Sequence, residues 1–249
     1  MLGSFTGSYS FGRQNKPEQN NIVSGYYLWY DPENYSGTGT TLTDISGNGR
    51  DATIFGSPTY TSGTGGYFTL DGVNDYIATP NIYNAGNKNH TIEVWVRPTA
   101  SSLSIWSDAG QQASNLGYHF SGSQIIPVGP FNQVISNIWT ASAVQRTVAG
   151  IPTLNTWMQI VRVYNGTQLT GYLNGTAANS PATYSWIAPW QDVGNNWFLC
   201  FGAGDTTAYA GTTANYFTGR IGVVRVYTNA LTSTEILQNY NETKTQYGL

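Results

Sequence analysis

Thr91-Ile92-Glu93-Val94-Trp95-Val96-Arg97-Pro98 is the stretch whose reading decides the fold. Ile92, Val94 and Val96 recur at every second position, the period of a strand with one face turned to a core. Pro98 ends the strand, because proline has no N–H to give to a ladder. Outward from this segment the same kind of signal recurs. Tyr26-Tyr27-Leu28-Trp29-Tyr30 and Tyr67-Phe68-Thr69-Leu70 are short aromatic runs bounded by Gly, Asn and Asp. Residues 157–164 read as another strand, Asn165-Gly166 turns the chain into 168–173, and Asn174-Gly175 follows. Asn-Gly between apolar runs is a strong hairpin signal, with both central residues expected at positive φ. Ile221-Gly222-Val223-Val224-Arg225-Val226-Tyr227 is the last strand.

One helix stands out. In Thr232-Ser233-Thr234-Glu235 the first threonine can cap and the glutamate can reach back, which is a capping box. Ile236, Leu237 and Tyr240 then share a face, so a short helix over 233–244 is expected to pack on a sheet. Many short strands, frequent turns and one terminal helix predict an all-β fold, an antiparallel β-sandwich. No repeat or linker divides residues 21–249, so one domain is expected there. Residues 1–20 are small, polar and aperiodic, broken by Lys16-Pro17-Glu18, and read as an N-terminal arm suited to an assembly contact.

Composition narrows the function classes. Of 249 residues, 9% are charged, where an ordinary soluble domain carries about 25%. With 10 Lys+Arg against 13 Asp+Glu, there is no basic field to bind nucleic acid. No apolar run of about 18 residues exists to span a membrane. Met1-Leu2-Gly3-Ser4-Phe5-Thr6-Gly7-Ser8 lacks a basic start and an apolar stretch, so no secretory signal is expected. The single cysteine, Cys200 in Trp197-Phe198-Leu199-Cys200-Phe201, excludes an internal disulfide and reads as a buried, inert thiol. From Pro98 to Gly219, histidine aside, charge comes only from Asp108, Arg146, Arg162, Asp192 and Asp205. Such a surface suits a protein partner or a neutral sugar.

Several segments, in order, resemble the laminin-G-like branch of the concanavalin A-like lectin/glucanase superfamily. They are Asp44-Ile45-Ser46-Gly47-Asn48-Gly49, Phe68-Thr69-Leu70-Asp71-Gly72-Val73-Asn74-Asp75-Tyr76-Ile77, the 91–98 strand and the hairpin from Tyr164 to Gly175. Phe217-Thr218-Gly219-Arg220-Ile221 through Tyr227 and Ala230-Leu231-Thr232 through Ile236 complete the series. The resemblance implies two antiparallel sheets packed face to face, a concanavalin A-like jelly roll. The opening from Asn21-Ile22-Val23 to Thr40 and the close from Ile236 to Leu249 are similar to such domains in tailed-bacteriophage virion proteins. The sequence departs from the pattern at Gly222-Val223, where similar domains often carry an acidic pair, and at Met158-Gln159, where they carry a histidine nearby. Residues 99–150 and 177–215 match nothing in the pattern and read as inserts that form a contact surface.

Catalytic chemistry is poorly represented. Glycoside hydrolysis needs two carboxylates about 5–9.5 Å apart; Asp31 and Glu33 are split by Pro32, Asp71 and Asp75 lie in a turn, and Glu93 stands alone on its strand. A nucleophile triad needs a histidine beside a serine or cysteine; the only histidines, His90 and His119, read as a strand-end residue and as a packed or half-exposed strand residue, and no zinc spacing is present. The resemblance implies calcium at the rim in many relatives, and Asp71, Asn74, Asp75, Asp44 and Asn48 carry suitable oxygens. Asp and Asn in such Gly-rich segments also bond their own backbone, so no metal ligand is assigned. Asn34, Asn89, Asn165, Asn174 and Asn241 head N-x-Ser/Thr sequons that chance supplies in so Asn- and Thr-rich a chain.

Sugar binding by the resembling family works through aromatic stacking, with polar groups reading hydroxyls. Trp106, Tyr118, Trp139, Trp186 and Trp190 are the candidates, with core or subunit contact as the competing role. The expected function is a non-enzymatic virion structural protein on a capsid or tail surface. It would contact other virion proteins through the arm and touch a host glycan, assembled as a homo-oligomer with a trimer favoured by analogy. A secreted or cell-surface carbohydrate-binding module is the alternative, and a degenerate glycoside hydrolase a remote one.

Overall fold

Ile92, Val94 and Val96 point from the strand His90–Pro98 into the largest apolar cluster of the protein. The opposite face of the same strand, carrying Thr91, Glu93 and Trp95, is buried as well. The deciding strand is therefore covered on both sides, and this layering organises the molecule. The computed structural model describes residues 22–80, 89–101, 103–110, 120–128, 131–139, 144–178, 182–183, 197–207, 212–214 and 216–249. The expected arm, 1–20, lies outside the described residues.

In chain order the described strands begin with β1 (Tyr26–Tyr30), β2 (Thr41–Leu42), β3 (Ala52–Phe55), β4 (Thr59–Thr61), β5 (Tyr67–Asp71), β6 (Tyr76–Ala78) and β7 (His90–Pro98). They continue as β8 (Leu103–Gly110), β9 (Phe120–Val128), β10 (Phe131–Trp139), β11 (Val144–Gly150), β12 (Met158–Tyr164) and β13 (Gln168–Leu173). Then come β14 (Thr176–Ala177), β15 (Ala182–Thr183), β16 (Trp197–Phe201), β17 (Gly204–Thr207), β18 (Thr212–Ala214), β19 (Thr218–Tyr227) and the helix α1 (Ser233–Lys244).

A nine-stranded sheet runs β14-β13-β12-β7-β19-β5-β4, with β1 added on β19 and β15 on β13. An eight-stranded sheet runs β11-β10-β9-β8-β16-β6-β3-β2. Every pairing is antiparallel. Leu28, Phe68, Val94, Ile160 and Val224 from the first sheet meet Ile54, Ile77, Ile105, Leu199 and Phe201 from the second in one core cluster. Each such side chain contributes about 1.5–3 kcal/mol by leaving water. This is the antiparallel jelly-roll sandwich that the sequence predicts. Residues 99–150 and 177–215 supply β8 to β11 and β16, so the segments that matched no pattern are woven into the eight-stranded sheet rather than appended to it.

The helix covers the outer face of the nine-stranded sheet. Its capping box is formed: Glu235 N–H donates to Thr232 Oγ1 at 3.3 Å and Thr232 N–H donates to Glu235 Oε2 at 2.7 Å. Its buried face differs from the expected one. Ile236, Asn239 and Thr243 are buried, whereas Leu237 is 46% exposed. Spacings of three, four and seven residues define a single helical face, and Leu237 sits about 100° away from it.

The two Asn-Gly turns also differ from one another. Asn174 and Gly175 both take positive φ, 51° and 76°, as a primed hairpin turn demands. In the other, only Gly166 does, at 91°. Asn165 instead uses Oδ1 to accept the N–H of Thr167 and of Gln168 at 3.0 and 2.7 Å. A three-residue loop needs one left-handed residue, not two.

Candidate functional site

The sequence-named aromatic residues divide on inspection. Trp106 is only 1% exposed and belongs to the core between the sheets, with the Arg162 guanidinium 4.3 Å from its ring centroid. It is a floor for a buried cation and presents no face to a ligand. Trp139 ends β10, opposite Val144 and Phe120. Tyr118, Trp186, Trp190 and His119 lie outside the described residues. His90 opens β7, buried, with Nε2 2.8 Å from Nη2 of Arg162.

The described acids are committed to holding the chain together. Glu93 Oε1 accepts from Arg225 Nη1 at 2.8 Å, Gln159 Nε2 at 3.0 Å and Trp95 Nε1 at 3.2 Å, and Oε2 accepts from Asn239 Nδ2 at 3.0 Å. Arg225 also reaches Thr243 Oγ1 at 3.1 Å. Asn239 and Thr243 thus form the polar face by which α1 docks on the sheet. Gln159, near where similar domains carry a histidine, also accepts the Gly175 N–H at 3.1 Å. At Gly222-Val223, where they carry an acidic pair, β19 has a bulge. There the Val223 N–H donates to Tyr247 Oη at 2.8 Å, and any Cβ on Gly222 would collide with that hydroxyl. A carboxylate so fully bonded in the interior has no lone pair left for substrate chemistry.

The turn carboxylates are spent likewise. Asp44 accepts N–H groups from Trp29, Ser46 and Arg50 and the Ser46 hydroxyl. Burial would raise its pKa, but those bonds prevail and hold it below the ordinary value. Asp75 accepts the N–H of Ser57 and of Asp71, and Asp71 accepts those of Val73 and Asn74. Asn48 gives its amide to Tyr26 and Tyr27 carbonyls. These oxygens hold their own turns together, and no three His, Cys, Asp or Glu among the described residues form a metal-holding group. Asp31 caps the 3-10 turn Pro32–Asn34 by accepting the Glu33 N–H, and Glu33, within that turn, accepts the Gly65 N–H.

One surface of the eight-stranded sheet has a different character. Ile54, Ile77 and Phe201 point inward, so their neighbours Phe55, Tyr76, Ala78 and Cys200 point away from the core. Phe55 and Tyr76 are direct cross-strand partners, and their rings stack at 4.5 Å with planes 9° apart. Phe55 is 40% exposed, and Val73, in the turn before β6, is 67% exposed. Beside them Ala78, Cys200 and Ala203 pack with Tyr76 and Tyr216 into an apolar layer outside the sandwich core. Burial, together with Cys200 and Tyr216, raises the Tyr76 pKa, and burial pushes the Cys200 thiol up to about 12. Both groups therefore stay uncharged, with the Tyr76 hydroxyl and the exposed Thr53 on the border of this surface. A flat ring with hydroxyl neighbours suits the apolar face of a sugar. Neither Phe55 nor Tyr76 was named from sequence; only their pairing across 21 positions marks them.

Residues 71–237 match the family model for the concanavalin A-like lectin/glucanases superfamily. No curated protein matches the chain. Among solved structures, domain 4 of AbnA, an extracellular arabinanase from Geobacillus stearothermophilus solved with arabinotriose, aligns with TM-score 0.57 at 18% identity, covering 87% of this chain and 100% of that one. The binding domain of botulinum neurotoxin DC, solved with rat synaptotagmin II, aligns with TM-score 0.61 at 16% identity over 88% of this chain. A botulinum neurotoxin type C structure, described as entering cells through two ganglioside molecules, gives TM-score 0.63 at 16% identity over 88% of this chain. The chain spans 52% and 51% of those two toxin chains. At these identities the likeness is one of fold.

Proposed function

The chain belongs to the concanavalin A-like lectin/glucanases superfamily, and from that premise we propose that it is a non-enzymatic, lectin-like glycan-recognition domain carried as a structural protein on a tailed-phage particle. The observation that carries the recognition role is the exposed Phe55–Tyr76 stack on the outer face of the eight-stranded sheet. The arabinanase domain, solved with arabinotriose, and the toxin binding domain support the same reading. So does the engagement of Glu93, Asp44 and Asp75 in structural hydrogen bonds. The virion setting rests on the likeness of the opening and closing segments to tailed-phage virion proteins. In that setting residues 1–20 contact other virion proteins, the assembly is a homotrimer, and Tyr118, Trp139, Trp186 and Trp190 are further contact aromatics.

Two measurements test the proposal. Neutral polysaccharide columns or a glycan array are expected to retain the protein, and Phe55→Ala to weaken retention about tenfold or more, the loss typical of an anchoring aromatic. Equal retention of the variant would overturn the platform. Mass spectrometry of purified particles is expected to find the chain, and its absence would overturn the virion setting.

A further inference from the structure

The whole chain has 10 Lys and Arg residues, and two of them stand directly opposite each other. On adjacent strands β7 and β19 the ladder pairs Arg225 with Glu93, and further along it pairs Arg220 with Arg97. The first pair is complementary and buried. The second sets two cations side by side on the outer face of the nine-stranded sheet, an arrangement that repels. Neither Arg97 nor Arg220 pairs with a carboxylate among the described residues. Asp71, on the same face of β5, turns Oδ1 to the N–H groups of its own turn.

Both guanidiniums are nonetheless held in place. Arg97 Nε donates to the Asn155 carbonyl at 2.8 Å, and Asn155 itself sits at φ 60°, a left-handed conformation that costs energy for a side chain larger than glycine. The Arg220 guanidinium lies 4.5 Å from the centroid of Tyr67. Tyr67 meets Trp157 edge-on at 5.6 Å, and Trp157 packs on Tyr247 at 4.3 Å. Arg97, Arg220, Tyr67, Thr69 and Trp157 all remain partly accessible. Two oriented guanidiniums, with N–H groups that meet no acceptor among the described residues and aromatic rings alongside, match a planar oxyanion on an apolar-faced ring.

We propose that Arg97 and Arg220 bind the carboxylate of an acidic sugar, with Tyr67 and Trp157 flanking its ring. The site lies on the opposite sheet from the Phe55–Tyr76 platform, so each can fail without the other. Titration calorimetry of the full chain with trigalacturonate, galactotriose and sodium sulfate tests it. Trigalacturonate is expected to bind, more weakly as sodium chloride is added, and Arg97→Gln or Arg220→Gln to weaken it about tenfold or more. Phe55→Ala is expected to leave this binding unchanged. Both arginine variants are expected to keep a cooperative melt like the parent's, as partly exposed substitutions do, so that lost binding reads as a lost contact. Absence of binding, equal binding by galactotriose, or full affinity in the arginine variants would overturn the proposal. Sulfate binding as tight as trigalacturonate would overturn the sugar assignment and leave only an oxyanion site.

Discussion

Removing the Glu93 carboxylate would leave the Arg225 guanidinium, 0% exposed, without its counter-charge. An uncompensated buried ion costs about 3–5 kcal/mol, so Glu93→Ala is expected to lose that much unfolding free energy in a urea titration; an unchanged unfolding free energy would contradict the network. In sequence Glu93 stands alone, because Arg225, Gln159 and Asn239 lie 132, 66 and 146 positions away. Cys200 was legible from its apolar neighbours alone. With its thiol pKa raised to about 12, it is expected not to react with Ellman's reagent at pH 8 until denaturant is added. Asp44 gives the pH dependence. Its folded pKa lies below the ordinary 3.8, so its stabilising contribution is complete above that value and is lost as pH falls toward the folded one. Acid titration of stability is expected to show a shallower fall in Asp44→Asn than in the parent; identical slopes would contradict the hydrogen-bonded carboxylate.

Elements whose signals are local were readable, and those set by their neighbours were not. The start of α1 follows from Thr232 and Glu235, three residues apart, and the strand at β7 from its alternation. The docking face of α1 escaped because Asn239 and Thr243 are polar and Leu237 is apolar, so hydropathy pointed the wrong way. Thr232→Ala is expected to cost about 1 kcal/mol of stability, the usual worth of an N-cap. Leu237→Ser is expected to stay within about 0.5 kcal/mol of the parent, as surface changes do, while Asn239→Leu strips Glu93 of a donor and costs more. Thermal melts of the three variants check this order. A larger loss from Leu237→Ser than from Asn239→Leu would restore the face that hydropathy suggests.

At the scale of the molecule, the sandwich was legible because the nine-stranded sheet is built from the segments that carry the family resemblance. The eight-stranded sheet draws β8 to β11 and β16 from stretches outside that resemblance, and in β9 Ser, Gly and Gln interrupt any apolar period, as in Phe120-Ser121-Gly122-Ser123-Gln124. Ligand positions were harder still. Trp106 advertised itself by residue type and lies in the core, whereas Phe55 and Tyr76 become a platform only when β3 and β6 pair. That platform makes the central claim open to one direct measurement: parallel retention of the parent and Phe55→Ala on a neutral-glycan array, with matched melting temperatures. The expected result is a defined set of neutral glycans bound by the parent and released by the variant. Binding of no neutral glycan by the parent, or of the same set equally by both, would contradict a lectin-like role for this face.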